Sequence, residues 1–342
     1  MTTVVIRVDA GPTVGLGHLM RCLGLAAALE EAGARTHFVT RAHPGARAWI
    51  AAQGAALDEL DPRLDLDADG GATAAVVARV EAGAVVVDSR AVDKQYLARL
   101  VATGALVVSI DDLAQHVLPS HVIVNGNVFA PGLLYRAEFP EVSLLRGPRY
   151  VMLRPPFWDP PVRVVRPVVG RVLVTVGGHD GHGLLPGLLK ALDVLPAEIG
   201  LVVAPPPLAA GTTGMALPAV HRPLEMLPSP DALPGAMREA DIAVSGGGQT
   251  VYELAAVGCP AVALPSAGDQ DDHLRALAEH GVVLAAGGAD PVRAAVALVA
   301  ALVDDPGRRQ RLADTGQRLV DGHGARRVAA AVLSALAARE GR

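Results

Sequence analysis

The sequence predicts an α/β protein built from two doubly wound parallel sheets, and three observations carry that expectation. Near-continuous Val, Ile, Leu and Ala runs alternate with helix-period segments in two successive series, as strands buried on both faces and their crossover helices do. A proline-rich window around 147–170 separates the two series. In each series a glycine-rich turn follows an apolar strand and opens a helix, the arrangement by which open α/β sheets build ligand sites at their carboxyl edges.

In the first series strands are expected near 3–8, 35–40, 84–88, 105–110 and 121–124, and helices near 18–33, 43–53, 72–82 and 93–103. The runs AVVVD and ALVVSI are the clearest buried strands. The window GPRYVMLRPPFWDPPVRVVRP suits neither a regular helix nor a central strand and reads as the interdomain connection. The second series then runs RVLVTV, a helix near 183–194, IGLVV, a loop, PAVHR, a helix near 231–239, DIAVS, a helix near 249–257, PAVALP and a helix near 270–280. Ala- and Arg-rich helices close the chain from about 291 to 340. The expected division is a Rossmann-like domain over 1–155 and a second, nucleotide-binding one over 156–342, facing a central cleft. A single-sheet dehydrogenase fits poorly, because Gly15-Leu16-Gly17 lacks the full G-x-G-x-x-G spacing and no acidic residue is well placed for a ribose.

At 342 residues the chain has room for two domains of ordinary size. Hydrophobic residues make up 51% but aromatics only 3%, so the cores must be built from Ala, Val and Leu. Thirty Lys and Arg stand against 35 Asp and Glu, a net charge of −5 with no basic block, which argues against nucleic acid and anionic membrane surfaces as partners. Cys22 and Cys259 lie far apart and read as buried thiols in a reducing compartment. No signal peptide is visible, and the longest uncharged run, Ile199 to Val220, is broken by Pro205-Pro206-Pro207 and Gly211. A cytoplasmic protein is expected, of an oligomeric state the sequence does not give.

The candidate chemistry lies in two turns. In RVDAGPTVGLGHLMR (7–21), Gly15 and Gly17 bring bare backbone to a helix N-terminus, and His18 is the first functional side chain beyond them. An imidazole titrates near neutrality and serves as a general base, and Asp9 either orients it or shapes the loop. In the second turn, Gly247, Gly248, Gln249 and Thr250 follow DIAVS and form a natural diphosphate seat. Glu253, one turn into that helix, is placed to accept hydrogen bonds from ribose hydroxyls, or serves only as a dipole charge. Asp269 and Gln270 reach the same sheet edge, sixteen residues or more beyond Glu253. Asp111-Asp112 could bind sugar hydroxyls or form a helix cap, and Asn125 and Asn127 flank a glycine where turn geometry would also explain them. His179-Asp180-Gly181-His182 is an incomplete ligand set, so no metal and no cofactor are expected; Gly177 and Gly178 are read as shaping the cleft floor.

With these residues in view, the chain resembles the UDP-sugar hydrolases of pseudaminic acid biosynthesis and the related spore-coat polysaccharide proteins, members of the GT-B superfamily. The matching landmarks are Arg7-Val8-Asp9-Ala10, Gly15-Leu16-Gly17-His18 with Met20-Arg21-Cys22-Leu23, Ile110-Asp111-Asp112, Asn125-Gly126-Asn127, the segment LLRGPRYVMLRPPF, Val174-Thr175-Val176-Gly177-Gly178 with Asp180, and the glycine-rich turn with Glu253. The resemblance implies a GT-B fold in which His18 activates water. It makes Gly247, Gly248, Gln249 and Thr250 the diphosphate seat, Glu253 the ribose ligand and Gln270 a sugar or phosphate contact. Gly15, Gly17, Arg21, Asp111, Asn127, Gly178 and Asp269 complete the expected substrate-binding set. Two positions depart from the family pattern: Asp269 stands where an Asn is usual, and Pro156 where many relatives carry a Glu. The implied reaction is metal-independent, inverting hydrolysis of a UDP-activated, 2,4-diacetamido-trideoxy sugar by water attack at C1. The alternative is a glycosyltransferase with the same donor site and an alcohol or amine acceptor. An epimerase and a non-enzymatic sugar-binding protein are weaker readings, since no carboxylate set suits the first and His18 argues against the second.

Overall fold

The computed structural model describes residues 2–11, 16–178, 180, 183–206, 218–266 and 270–341. The chain divides into two compact units, Met1–Pro155 together with His323–Arg342, and Pro156–Gly322.

The first unit begins with β1 (Thr3–Val8), α1 (Gly17–Glu31), β2 (Arg35–Arg41), α2 (Pro44–Ala52), β3 (Ala56–Leu60) and α3 (Leu66–Arg79). It continues with β4 (Ala84–Asp88), α4 (Lys94–Val101), β5 (Leu106–Ile110), β6 (Val117–Leu118), β7 (Val122–Asn125), β8 (Arg136–Ala137) and β9 (Ser143–Arg146). Seven strands pair in the order β3-β2-β1-β4-β5-β7-β9, all parallel, while β6 and β8 form a separate ribbon. Strand order reverses between β1 and β4, and a crevice opens at such a switch point, outside the carboxyl ends of the strands. The register sets Val8 opposite Asp88 there. One face of the sheet buries Val5, Val39, Val85, Val87, Val107 and Ile123 against Val76 and Val77 of α3 and Tyr96, Leu97 and Leu100 of α4.

The second unit carries β10 (Arg171–Thr175), α5 (Leu184–Ala191), β11 (Gly200–Ala204), β12 (Leu224–Met226), α6 (Leu233–Glu239) and β13 (Ile242–Gly246). After these come α7 (Thr250–Ala256), β14 (Ala261–Leu264), α8 (Asp271–Glu279), β15 (Leu284–Ala285), α9 (Pro291–Val303) and α10 (Pro306–Leu319). Its sheet is again wholly parallel, in the order β12-β11-β10-β13-β14-β15, with its own reversal between β10 and β13.

Several elements differ from the sequence reading, the short strands β6, β8, β9, β12 and β15 among them. The helix expected over 72–82 starts at Leu66, because Asp65 accepts a hydrogen bond from the amide of Ala68 at 2.8 Å and so caps it. The half-polar ALDEL, which has no apolar run to announce it, forms β3 at the sheet edge. PAVHR is not a strand: Arg222 is buried and donates to the carbonyls of Asp193 and Leu195 at 2.9 and 2.7 Å, a loop-stapling role that leaves pairing to β12. The last helix, α11 (Gly324–Glu340), belongs to the first unit, although the sequence reading placed everything after 156 in the second. It packs on α1, buries Ala325, Val328, Ala329, Val332 and Leu336, and pairs Arg326 with both carboxylate oxygens of Glu31 at 2.8 and 2.9 Å.

Candidate active site

The switch point of the first unit gathers charged side chains from three elements. Helix α1 opens at Gly17 with no side-chain cap, and its first turn presents His18 and, one turn on, Arg21. Strand β4 ends in Asp88, which is fully buried, and the loop after β5 supplies Asp112. His18 Nδ1 lies 2.5 Å from Asp88 Oδ1. A lone pair on Nδ1 would face an anionic oxygen, so Nδ1–H donates to Asp88, and in the neutral ring the lone pair is on Nε2. This is the orientation a general base requires.

Arg21 closes the cluster. Its Nε and Nη2 donate to Asp88 Oδ2 and Oδ1, both at 2.7 Å, and its Nη1 and Nη2 donate to Asp112 Oδ1 and Oδ2 at 2.9 and 3.0 Å. Cys22 Sγ completes the shell of Asp88 with a 3.4 Å contact to Oδ2. Burial alone would raise the Asp88 carboxyl, but Arg21 and then His18 outweigh it and hold the group well below the usual carboxylate range. Asp112 is likewise lowered, burial opposing and Arg21 prevailing. Burial, reinforced by the Asp88 charge, pushes the Cys22 thiol well up, so it stays protonated and donates. Asn127 Nδ2 donates to Asp112 Oδ1 at 2.8 Å and to Asn125 Oδ1 at 2.9 Å, and Asn125 Nδ2 donates to Tyr135 at 2.9 Å. A pocket beside this cluster is lined by His18, Arg21, Ser89, Arg90, Asp112 and His116, among others.

Several expected residues take different positions. Asp9 does not hold His18; its Oδ1 accepts from Arg7 Nη1 at 2.7 Å. The strand register explains the substitution, since Asp9 follows the residue paired with Asp88 and its amide points to the Asp88 carbonyl at 3.4 Å. Asp111 caps its own turn, with Oδ1 accepting from the amides of Leu113 and Ala114 at 3.1 and 2.6 Å. Arg21 spends four of its five N–H groups on two carboxylates, and Asn127 serves Asp112. Asp88 was missed by the sequence reading, although an Asp closing the otherwise apolar run AVVVD was its visible signal, because a buried charge must have partners.

In the second unit Gly247, Gly248 and Gln249 connect β13 to Thr250, the first residue of α7. A Cβ on Gly246 would lie 2.6 Å from Ser266 Oγ and 2.8 Å from the Val176 carbonyl; one on Gly247 would meet Leu274 at 2.9 Å and Gln270 Oε1 at 3.0 Å. At Gly246 the Val176 carbonyl leaves no room for a side chain, whereas at Gly247 the Leu274 and Gln270 side chains would have to give way. Gln270 Oε1 accepts from the amide of Ser266 at 2.9 Å and from its hydroxyl at 3.2 Å, tying the start of α8 to the end of β14. Glu253 is buried on α7, 5% exposed. Gly178 lies in the loop after β10. There Asp180 caps α5, accepting from the amides of Leu184 and Leu185 at 2.7 and 3.0 Å. Gly15, His179, His182 and Asp269 lie outside the described residues.

No protein-family model matches the chain. Over 201 residues it is 26% identical to the spore coat polysaccharide biosynthesis protein SpsG of Bacillus subtilis (strain 168), a match covering 56% of this chain and 58% of that protein. Among solved structures, spinosyn forosaminyltransferase SpnP aligns with a TM-score of 0.68 at 15% identity, over 98% of this chain and 99% of its own. MurG of Acinetobacter baumannii aligns with a TM-score of 0.64 at 16% identity, over 98% of this chain and all of its own. Spinosyn rhamnosyltransferase SpnG, solved with thymidine diphosphate, aligns at 0.61 and 18% identity, over 96% and 99%. These likenesses, with the two switch-point sheets, establish the architecture as GT-B.

Proposed function

We propose that the protein is a GT-B enzyme that transfers a glycosyl group from a nucleoside diphosphate sugar to an acceptor hydroxyl or amine. The observation that carries this reading is the His18–Asp88 pair at the switch point of the first sheet. His18 Nε2 takes the acceptor proton as the acceptor oxygen or nitrogen bonds to C1. The bond from C1 to the diphosphate oxygen breaks, its electron pair leaves with the nucleoside diphosphate, and the configuration at C1 inverts. Base assistance of this kind contributes roughly 10²–10⁴-fold. For the donor, the turn from Gly247 to Thr250 supplies backbone donors for the leaving diphosphate, and Glu253 takes the ribose; uridine is the base that the family resemblance implies.

Hydrolysis is the second reading, with water in place of the acceptor. It is favoured by the size of the pocket beside His18, about 50 Å³, which at roughly 10–15 Å³ each admits a few water molecules. The resemblance to hydrolases of 2,4-diacetamido-trideoxy sugars supplies the candidate donor for that case.

The deciding experiment follows nucleotide release from a panel of UDP- and dTDP-sugars, with and without alcohol and amine acceptors. Acceptor-dependent release with a new glycosidic bond is the expected result. Release at full rate without acceptor, with ¹⁸O from water in the reducing sugar, would establish the hydrolase instead. Label in the diphosphate would mean attack at phosphorus and overturn both.

A further inference from the structure

We infer that Arg21 is a positioning residue, not a substrate ligand, and that it acts on His18 through Asp88; this rests on the reading of His18 as the base. Its guanidinium lies side-on to Asp88 and end-on to Asp112, bidentate to each. That double fork requires a planar group with donors on two edges, which Arg has and Lys lacks. Asp112 is in turn held by Asn127, and Asn127 by Asn125, whose amide donates to Tyr135. The Tyr135 hydroxyl donates to the backbone carbonyl of Asp111 at 2.8 Å. A continuous chain of bonds therefore runs from the end of β7 through Asp112 and Arg21 to the carboxylate beside His18. Nη2 of Arg21 also comes within 3.3 Å of His18 Nδ1. The same guanidinium thus holds both the carboxylate and the edge of the ring that the carboxylate aims.

The groups facing His18 are Asp88 from the end of β4, Arg21 on its own helix and Asp112 after β5, with Arg90 and His116 on the pocket wall. Lys at position 21 keeps the charge but not the fork, which separates geometry from electrostatics. The test is Arg21→Lys, with Asp112→Asn as a second variant that leaves Arg21 in place and removes its outer anchor. Imidazole ¹⁵N resonances report the His18 tautomer without any substrate, identified by their loss in His18→Gln.

In the wild type the neutral ring is expected to carry its proton on Nδ1 and leave Nε2 bare. In Arg21→Lys the two nitrogens should move toward an averaged tautomer, with kcat lowered about 10–100-fold, as a displacement of an ångström can cause, and donor KM nearly unchanged. Asp112→Asn should shift the tautomer the same way by a smaller amount. A folded Arg21→Lys whose His18 tautomer is unmoved overturns the proposal, as does a rise in donor KM with kcat intact, which would make Arg21 a substrate ligand. Where Arg21→Lys does not fold, an unmoved tautomer in Asp112→Asn overturns it equally. Failure of the wild type to turn over any nucleotide sugar would remove the transfer reading and leave the tautomer result standing.

Discussion

His18 and Asp88, seventy residues apart in the chain, meet with Nδ1 and Oδ1 2.5 Å apart at the point where the first sheet reverses its strand order. The pairing fixes one tautomer and leaves Nε2 as the basic nitrogen. Replacing His18 by Ala is therefore expected to lower kcat by about 10²–10⁴-fold with little change in donor KM, since a base acts in the transition state. Asp88→Asn should lose activity on a similar scale, because the amide can turn its NH₂ toward Nδ1 and favour the wrong tautomer. Steady-state nucleotide release measures both. Near-normal turnover in a folded Asp88→Asn would show that the pair is structural.

Glu253 gives the test of the donor side. It is buried at 5% exposure on α7, so truncation would confound lost packing with lost binding. Glu253→Gln keeps the shape and removes the charge. It is expected to weaken UDP binding by about 1.5–3 kcal/mol, the worth of hydrogen bonds to a charged group, while the melting temperature stays close to wild type. Calorimetric titration gives the dissociation constant, and an unchanged value would reduce Glu253 to a charge that stabilises its helix.

A second buried network predicts how the first unit responds to acid. Arg7, 2% exposed, donates to Asp69 at 3.0 and 2.7 Å, and Asp69 also accepts from Tyr96 at 2.8 Å and Arg41 at 3.1 Å. Burial opposes ionisation of Asp69, but Arg7 above all holds its pKa below the usual range, as Arg21 does for Asp88 and Asp112. A carboxyl depressed in the folded state contributes stability above its unfolded pKa and loses it as pH falls through the folded value. Stability of the first unit should therefore decline from about pH 4 downward, near the unfolded carboxyl value. Asp69→Ala leaves buried Arg7 with Asp9 but without the carboxylate that takes its Nε and Nη2, and is expected to cost about 3 kcal/mol at pH 7. Urea titrations at pH 7 and pH 3 should show that difference shrinking in acid; a pH-independent difference would mean that Asp69 acts through packing alone.

The sequence disclosed both sheets because their central strands are unbroken apolar runs, and it singled out His18 as a candidate because glycines precede it at a helix start. It did not disclose Asp88 as the partner, since Asp9 sits in the recognisable motif while Asp88 reaches the same point only through strand order. Pairing of β1 with β4 is a property of topology, not of spacing. The roles of Arg21 and Asp111 were hidden for a related reason: nothing local distinguishes an Arg that grips a ligand from one that grips two carboxylates. Edge elements such as β3 and β12 are short and half-polar, so periodicity does not announce them. The destination of α11 was equally hidden, because its apolar face would suit either sheet's outer layer.

That last helix supplies the final prediction. At Gly324, where α11 begins, a Cβ would lie 2.0 Å from the backbone carbonyl oxygen of Val151, a position no side-chain rotation relieves. Gly324→Ala must displace either the helix start or the 148–155 segment, and overpacking of this kind costs about 1–3 kcal/mol. Gly71 is the control: it lies inside α3 with nothing near its Cβ direction, so Gly71→Ala should be neutral or stabilising by about 0.5–1 kcal/mol. Because α11 packs on α1, which carries His18 and Arg21, loosening it should also weaken hydrogen-exchange protection along α1 and lower kcat. Equal stability of the two alanine variants, with α1 protection unchanged in both, would show that α11 is not a structural part of the first unit.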